Sequence, residues 1–462
     1  MKRHRIGLLV FLCLLPIQSY AGGHFPGAAW QPVAADAAGW SRQKLAKAEA
    51  WSHQIGSTAV MIVQHGRVVA QWGDIAAKTP LASVRKSLLS ALIGIAVDRR
   101  QIALDATLGE LGIDDNAPSL SAEEKAATVR DLLEARSGIY HPALYETPRM
   151  AALRPPRFSH RPGTFWYYNN WDFNALGAIY EHAQPSSIYD AFEREIARPI
   201  GMQDYRPSDG QYVTGAASVY PAYTFTMSAR DLARFALLYL NRGRWRDRQI
   251  IPAQWVEEST RAYSQSDFGP GYGYLWWVGF LDDSMAPAVK VPQGTFFAAG
   301  AGGQFAFVMP AYDLVVIHRA PHRPEGGPNI REIGRLLWLV LDAAGLPDIG
   351  SDASIATARG TREDGAALAR LLPGKTLLFG ETATGGPYRM RLDRDGGAVL
   401  FKGREPTLGD SGSWNISGDR LCRQWQKIRP LHACFLVVRD GERVALFDRR
   451  GLMVIDARIF ER

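Results

Sequence analysis

The sequence predicts an α+β fold. One antiparallel sheet is built from both ends of a large domain, helices flank it, and a helical lobe is inserted between the two ends. Two observations carry this. Hairpin patterns stand at residues 58–72 and again at 305–318, and the chain between them reads as mostly helical. A third observation adds a small all-β domain: beyond residue 365 the pattern changes to short apolar runs separated by Asp-Gly, Gly-Glu and Arg-Gly turns. The predicted domains are a leader at 1–21, a large domain at 38–347, a linker at 348–365 and the β domain at 366–462.

The leader reads as a secretory signal. Lys2, Arg3 and Arg5 precede an apolar run from Gly7 to Ile17, and Ser19-Tyr20-Ala21 supplies small residues before Gly22. The run is too short to span a bilayer, and no later stretch is long and apolar enough for a membrane helix. Cys13 lies inside the run without small residues before it that would mark a lipidation site. A secreted or periplasmic protein with no membrane anchor after cleavage is therefore expected. Removing the three basic residues lowers the net charge from +7 to +4. That mild balance, without basic clusters interleaved with aromatics, predicts no nucleic-acid partner.

The first hairpin runs from Ala59–Val63 through His65-Gly66 to Val68–Trp72. Thr79-Pro80 then marks a turn before Ser83-Val84-Arg85-Lys86, which opens a helix with Leu88, Leu89, Leu92, Ile93, Ala96 and Val97 at helical spacing. An offset of three puts Ser83 and Lys86 on one face. The positive end of the helix favours a serine alkoxide and disfavours a lysine ammonium. A serine needs a neighbouring base to become nucleophilic, and a lysine with a lowered pKa can be that base. Alone, the tetrapeptide reads first as a helix cap followed by a solvated lysine.

The next informative stretch is Pro162-Gly163-Thr164-Phe165-Trp166-Tyr167-Tyr168-Asn169-Asn170-Trp171-Asp172-Phe173. Pro-Gly marks a turn and a helix begins near Trp171, which places Tyr168 and Asn170 on a loop before it. A phenol can relay a proton to a leaving group, and an asparagine amide can donate and accept. Core packing accounts for Trp166 and Phe173. Helices follow at Ser187–Ile196 and Ala229–Leu240, then a strand at Trp276-Trp277 that either walls a cleft or packs a core. The second hairpin joins Phe305–Met309 to Leu314–His318, and Asn329–Ala344 is a helix with Ile333, Leu336, Leu337, Val340 and Leu341 on one face.

Together these segments resemble the serine β-lactamase and penicillin-binding-protein superfamily, whose motifs are Ser-x-x-Lys, Tyr-x-Asn or Ser-x-Asn, and Lys-Thr-Gly or a His-x-Gly variant. Ser83 and Lys86 match the first motif and Tyr168-Asn169-Asn170 the second. Thr128–Leu133 with Ser137-Gly138, and Ser228–Phe235, also match, so the resemblance spans roughly residues 40–345. It is strongest with the esterase and 6-aminohexanoate-dimer-hydrolase branch, in Ser-Val-Arg-Lys-Ser and Tyr-Tyr-Asn-Asn-Trp-Asp-Phe-Asn. It implies that family's sheet and helical lobe, with a site at their seam.

It also implies a catalytic set of Ser83, Lys86 and Tyr168, with Asn170 positioning substrate and Gly302, Gly303 and Gln304 bordering it. The third motif is expected in Phe297–Phe305, with Ala301 at the cation's position and Gly302 as its central small residue. Alanine cannot hold a substrate carboxylate. The Gln304 N–H could complete an oxyanion hole with the Ser83 N–H. The expected function is therefore an exported serine hydrolase acting on small-molecule ester, amide or peptide substrates through an acyl-enzyme. The alternatives are a β-lactamase or D-Ala-D-Ala carboxypeptidase, and a non-catalytic binding protein on the same fold.

Two cysteines remain after the leader, Cys422 and Cys434, and in an exported chain they predict a disulfide. It would contribute about 3 kcal/mol in the chain-entropy picture. Gly409-Asp410-Ser411-Gly412 looks like a protease nucleophile loop but lies in the β domain and reads as a turn. The ten histidines are scattered, with no His-Glu-x-x-His and no Cys/His cluster. No metal and no cofactor are expected. His141 reads as a structural hydrogen-bonding residue.

Overall fold

The structure, a computed structural model, describes residues 24–266, 270–279, 289–321, 327–350, 352, 354, 358–379, 388–402, 407–427 and 431–461; the leader lies outside them. Its centre is an eight-stranded antiparallel sheet. Strands β1 (Ala59–Gln64), β2 (Arg67–Gly73), β3 (Ser264–Gln265), β4 (Gly271–Tyr272), β5 (Trp277–Val278), β6 (Phe296–Gly300), β7 (Gln304–Met309) and β8 (Leu314–Arg319) lie in the order β2-β1-β8-β7-β6-β5-β4-β3. The first and last strands of the domain are thus central neighbours, with Ala59 opposite Arg319 and Gln64 opposite Leu314. The β1–β2 turn at His65-Gly66 has φ of 48° and 70°, the left-handed pair that a two-residue hairpin requires.

The apolar run of β1 is continuous because both faces of the sheet are covered. Ala59, Met61 and Val63 face the core shared with the helical lobe. Val60 and Ile62 face a second core, closed by helix α1 (Arg42–Gln54) and the C-terminal helix α5 (Ile330–Ala343). On the lobe side stand α2 (Arg85–Asp98), α3 (Asn170–His182) and α4 (Ala229–Leu240). The last two begin at capping side chains, Asn169 and Ser228, which accept from the Asp172 and Asp231 amides. Ser187–Ile196 splits into a short α-helix, Ile188–Phe192, and a π-turn at Glu193–Ala197.

The C-terminal unit is a closed eight-stranded barrel rather than the six strands expected. Its strands are β9 (Lys375–Phe379), β10 (Tyr388–Leu392), β11 (Gly397–Lys402), β12 (Thr407–Ser417), β13 (Arg420–Trp425), β14 (His432–Asp440), β15 (Arg443–Phe447) and β16 (Met453–Glu461). Each pairs with the next, and β16 returns to β9. Leu377, Met390, Leu400, Leu421, Phe435, Val437 and Leu446 fill it. The strands missed by sequence were β12 and β13. Gly409–Gly412 is not a turn: it lies in β12, where the register slips opposite Leu400 and Phe401. Buried Asp410 there accepts from the Ser411 and Lys427 amides.

The expected 348–365 linker is not a free tether. Ile349 packs in the second core, Thr361–Arg362 pairs with β14, and a helix at Gly365–Leu371 puts Leu368 into the barrel core. The barrel rests on α5. Leu452 joins the second core, Arg450 pairs with Glu332, and Arg331 Nη2 donates to Val454 O at 3.5 Å. That is the sheet face opposite the helical lobe.

Candidate active site

The site begins with a strained turn. Thr79–Pro80 pairs with Met227 and Thr226, and the Leu81 amide donates to Phe225 O at 2.8 Å, fixing the entry to the turn. Ala82 then takes φ of 48°, in the left-handed region that a Cβ disfavours, and Ala82–Val84 forms one 3-10 turn before α2. From Leu81 to Ala96 every residue is buried except Ser83. Ser83 is the residue of this stretch most open to solvent.

Lys86 Nζ donates to Ser83 Oγ at 2.7 Å. The lysine is 2% exposed, and its amine lies over the rings of Tyr168 at 4.8 Å and Phe173 at 4.9 Å. Burial, and next the charge of Arg85, hold its pKa well below the usual lysine value. Tyr168 lines the cleft, half-buried, with its hydroxyl close enough to Ser83 for that hydroxyl to favour the phenolate. Burial pushes that phenol up to about 12, against the lowering effect of the Ser83 hydrogen bond and the Arg85 charge. The site thus disfavours the ammonium form of the lysine and keeps the phenol protonated at neutral pH.

Asn170 opens α3, one residue earlier than expected. Its Nδ2 donates to Tyr145 O at 2.5 Å, which ties a loop to the helix start, and its buried Oδ1 has no partner among the described residues. Asn174, one turn on, holds the same loop through Leu144 O at 3.1 Å. Neighbouring Asp172 is turned away to Ser137, whose hydroxyl donates to it at 2.6 Å.

The two tryptophans divide the roles the sequence left open. Trp276 is fully buried against Tyr239 at 4.5 Å. Trp277 is half-buried and stacks on Tyr168 at 5.4 Å, with Tyr272 at 5.0 Å and Trp166 at 6.2 Å completing an aromatic wall. His141 lies beside Trp171 at 6.4 Å, its buried Nε2 without a partner among the described residues, so the expected structural hydrogen bond is not found there.

The glycine segment closes the other side. β6 ends at Gly300 and β7 starts at Gln304, so Ala301, Gly302 and Gly303 form the hairpin turn, with φ of 79° and 88° at the two glycines. The glycine pressed on the Ser83 turn is Gly300, which sequence reading did not single out. A Cβ there would stand 2.3 Å from Leu81 O and 3.1 Å from Ala82 Cβ. The available signal was the small-residue run Ala298-Ala299-Gly300 at a strand end. The Gln304 side chain points elsewhere: Nε2 donates to Ala320 O at 2.7 Å and Oε1 accepts from Arg319 Nε at 2.8 Å. His318 braces the turn from behind, with Nδ1 2.6 Å from Gly303 O and Nε2 2.7 Å from Ser57 Oγ.

Among the described residues one group with metal-ligand chemistry gathers, Cys422, His432 and Cys434, with ligand atoms within 4.8 Å of one another. Cys422 faces Cys434 across β13 and β14, and the two sulfurs are joined in a disulfide rather than free as thiolates. No helix among the described residues is long and apolar enough to cross a membrane.

Comparisons with known proteins bear on the family and the fold. The β-lactamase family model matches residues 42–324. An uncharacterized protein of Alkalihalophilus pseudofirmus is 21% identical over 255 residues, covering 51% of this chain and 71% of that one. Among solved structures, a candidate 6-aminohexanoate-dimer hydrolase from Bacillus anthracis matches with TM-score 0.50 and 20% identity, over 70% of this chain and 89% of the other. The structure of SurE matches with TM-score 0.50 and 19% identity, over 92% of this chain and 98% of the other, a likeness of fold that extends into the C-terminal barrel.

Proposed function

Because this chain belongs to the β-lactamase family, we propose that it is an exported serine hydrolase that cleaves ester or amide bonds through an acyl-enzyme on Ser83. The observation that carries the reading is the 2.7 Å contact between Ser83 Oγ and a buried Lys86 that burial and Arg85 disfavour as an ammonium. Lys86 accepts the Ser83 proton as Oγ attacks the carbonyl carbon. Tyr168, still protonated at neutral pH, passes a proton to the departing alcohol or amine and regains one from the lysine. Water then repeats the attack on the acyl-enzyme with the same base, and Ser83 leaves with its proton restored.

The tetrahedral oxyanion is held by the Ser83 N–H and by backbone N–H groups of the hairpin that Gly300 presses against the nucleophile turn. Asn170 Oδ1, free to accept, orients a substrate N–H. With Gly300 as the glycine of the third motif, Ala298 stands where relatives carry a lysine or histidine; in the register read from sequence it is Ala301. Either way the hairpin offers no cation for a substrate carboxylate. Trp277 and Trp166 instead offer an apolar wall beside Tyr168, which suits neutral, apolar acyl groups.

The test is intact-protein mass spectrometry of the mature chain during turnover of short p-nitrophenyl esters, beside a cephalosporin and a D-Ala-D-Ala peptide. An acyl adduct on Ser83 with fast ester turnover and little action on the other two is expected. Rapid cephalosporin or peptide turnover would move the chain to cell-wall chemistry. Stoichiometric labelling by a fluorophosphonate without turnover of any ester or amide would make it a binding protein.

A further inference from the structure

Arg85 stands between the two catalytic residues of the first motif and is wholly inaccessible to solvent. Its guanidinium lies over the Tyr223 ring at 4.4 Å and beside the Tyr145 ring at 5.7 Å. Nη2 makes one long contact, 3.5 Å to Asn174 Oδ1, while buried Nε and Nη1 have no hydrogen-bond partner among the described residues. The other two arginines buried to this degree are provided for. Arg234 donates to Ile200 O at 2.9 Å and Gly27 O at 2.7 Å. Arg319 donates to Gln304 Oε1 at 2.8 Å and to Thr79 and Met227 carbonyls at 2.8 and 3.2 Å.

An unpaired buried charge is among the costliest groups a fold can carry, and an apolar side chain of that size would ordinarily be more stable. Its location offers a compensating use. The groups facing Lys86 are Ser83 from its own turn, and Tyr168 and Phe173 from the α3 segment, with Arg85 buried beside it as the preceding residue of the chain. Those facing Arg85 are Tyr223, Tyr145 and Asn174. None is a carboxylate, and Asp172 of α3 is turned to Ser137. Protonating Lys86 would set a second cation beside the first in a site with no anion.

Resting on the serine hydrolase reading above, we propose that Arg85 is a positioning residue whose unpaired buried charge keeps neighbouring Lys86 in its unprotonated, proton-accepting form. The tyrosine faces hold the guanidinium in place without neutralising it, as a paired carboxylate would. The rate of acylation at neutral and mildly acid pH depends on that charge, although Arg85 touches no reacting atom.

The experiment is the pH profile of the acylation burst with p-nitrophenyl acetate for the native chain, Arg85→Met, Arg85→Gln, Arg85→Lys and Ser83→Ala. Loss of the charge should move the acid limb up by about one pH unit or more, so that acylation on that limb slows at least ~10-fold, while the high-pH plateau is kept. Arg85→Lys, whose ammonium the same burial disfavours, should restore the native limb only in part, and Arg85→Met should melt no lower than the native chain. An unmoved limb in both neutral variants, or an equal loss at every pH, would overturn the proposal. So would failure of both neutral variants to fold, since the charge would then be structural. A dead Ser83→Ala beside an unmoved limb discards the role of Arg85 alone. A burst that persists in Ser83→Ala discards the underlying reading.

Discussion

Gly300→Ala probes the spacing between the hairpin and the nucleophile turn. The added Cβ would sit 2.3 Å from Leu81 O, a distance that real Cβ contacts do not reach, with Ala82 Cβ and Gln304 Cβ each at 3.1 Å. The first obstacle is backbone and the flanking atoms leave no room to rotate aside, so β6 and the 82–84 turn must part by about 1 Å. A displacement of that size at reacting groups costs on the order of 10²-fold, or about 2.7 kcal/mol of transition-state stabilisation. Overpacking would also lower folding stability by about 1–3 kcal/mol. The assay is kcat/KM for a p-nitrophenyl ester, with the chemical denaturation midpoint measured in parallel. Gly27→Ala, where a Cβ meets nothing within 4 Å, controls for a methyl group as such. The loss should fall mainly in kcat. If Gly300→Ala keeps kcat/KM within about threefold of the native chain while Gly27→Ala does the same, the hairpin does not set the reacting geometry.

Further expectations follow from the same contacts. Ser83→Ala should abolish the acyl adduct and leave the thermal transition intact, checked by mass and calorimetry. Lys86→Met should lower kcat by about 10³-fold or more, with no rescue at high pH, and should not destabilise the fold, because it replaces a buried amine. Trp277→Ala removes the stacking partner of Tyr168 and should raise KM more for aromatic and long-chain esters than for acetate, read from a series of p-nitrophenyl esters. His318, bonded to Ser57 and Gly303, is lowered to about 4 by burial, so the unfolded chain binds its proton first. Its contribution is present above pH 6.5 and is lost as pH falls toward 4, about 3 kcal/mol in all. Denaturation midpoints across that range should show the fall, and His318→Gln should flatten it.

Most of the hydrolase domain was legible in the sequence because its signals are local. Both hairpins of the central sheet, and α4 and α5 with their caps, carry periodicity and turn chemistry that survive folding unchanged. Ser83 and Lys86 could be paired because an offset of three on a helix fixes their relation, whereas Tyr168 and Asn170 were joined to them by the family resemblance. The rest depends on packing. Nothing local distinguishes Gly300 from Gly302 until the turn at Leu81 lies against it. Arg85 looks like a spacer until its surroundings prove to hold no carboxylate. In the barrel, β12 was hidden by polar residues and glycines that its bulge tolerates, so a strand read as a turn. The linker looked free by composition, yet Ile349 and the Thr361–Arg362 strand are docked.

The central claim is that Lys86 delivers the proton chemistry of a Ser83 acyl-enzyme. The most direct measurement is rapid-quench intact mass of the native chain and Lys86→Met mixed with p-nitrophenyl acetate across a range of pH. The account predicts a Ser83-bound acetyl group that forms fast in the native chain, with an acid limb well below the usual lysine pKa, and forms at least ~10³-fold more slowly in Lys86→Met at every pH. Fast acetylation of Ser83 in Lys86→Met, or an adduct at another residue in the native chain, would contradict it.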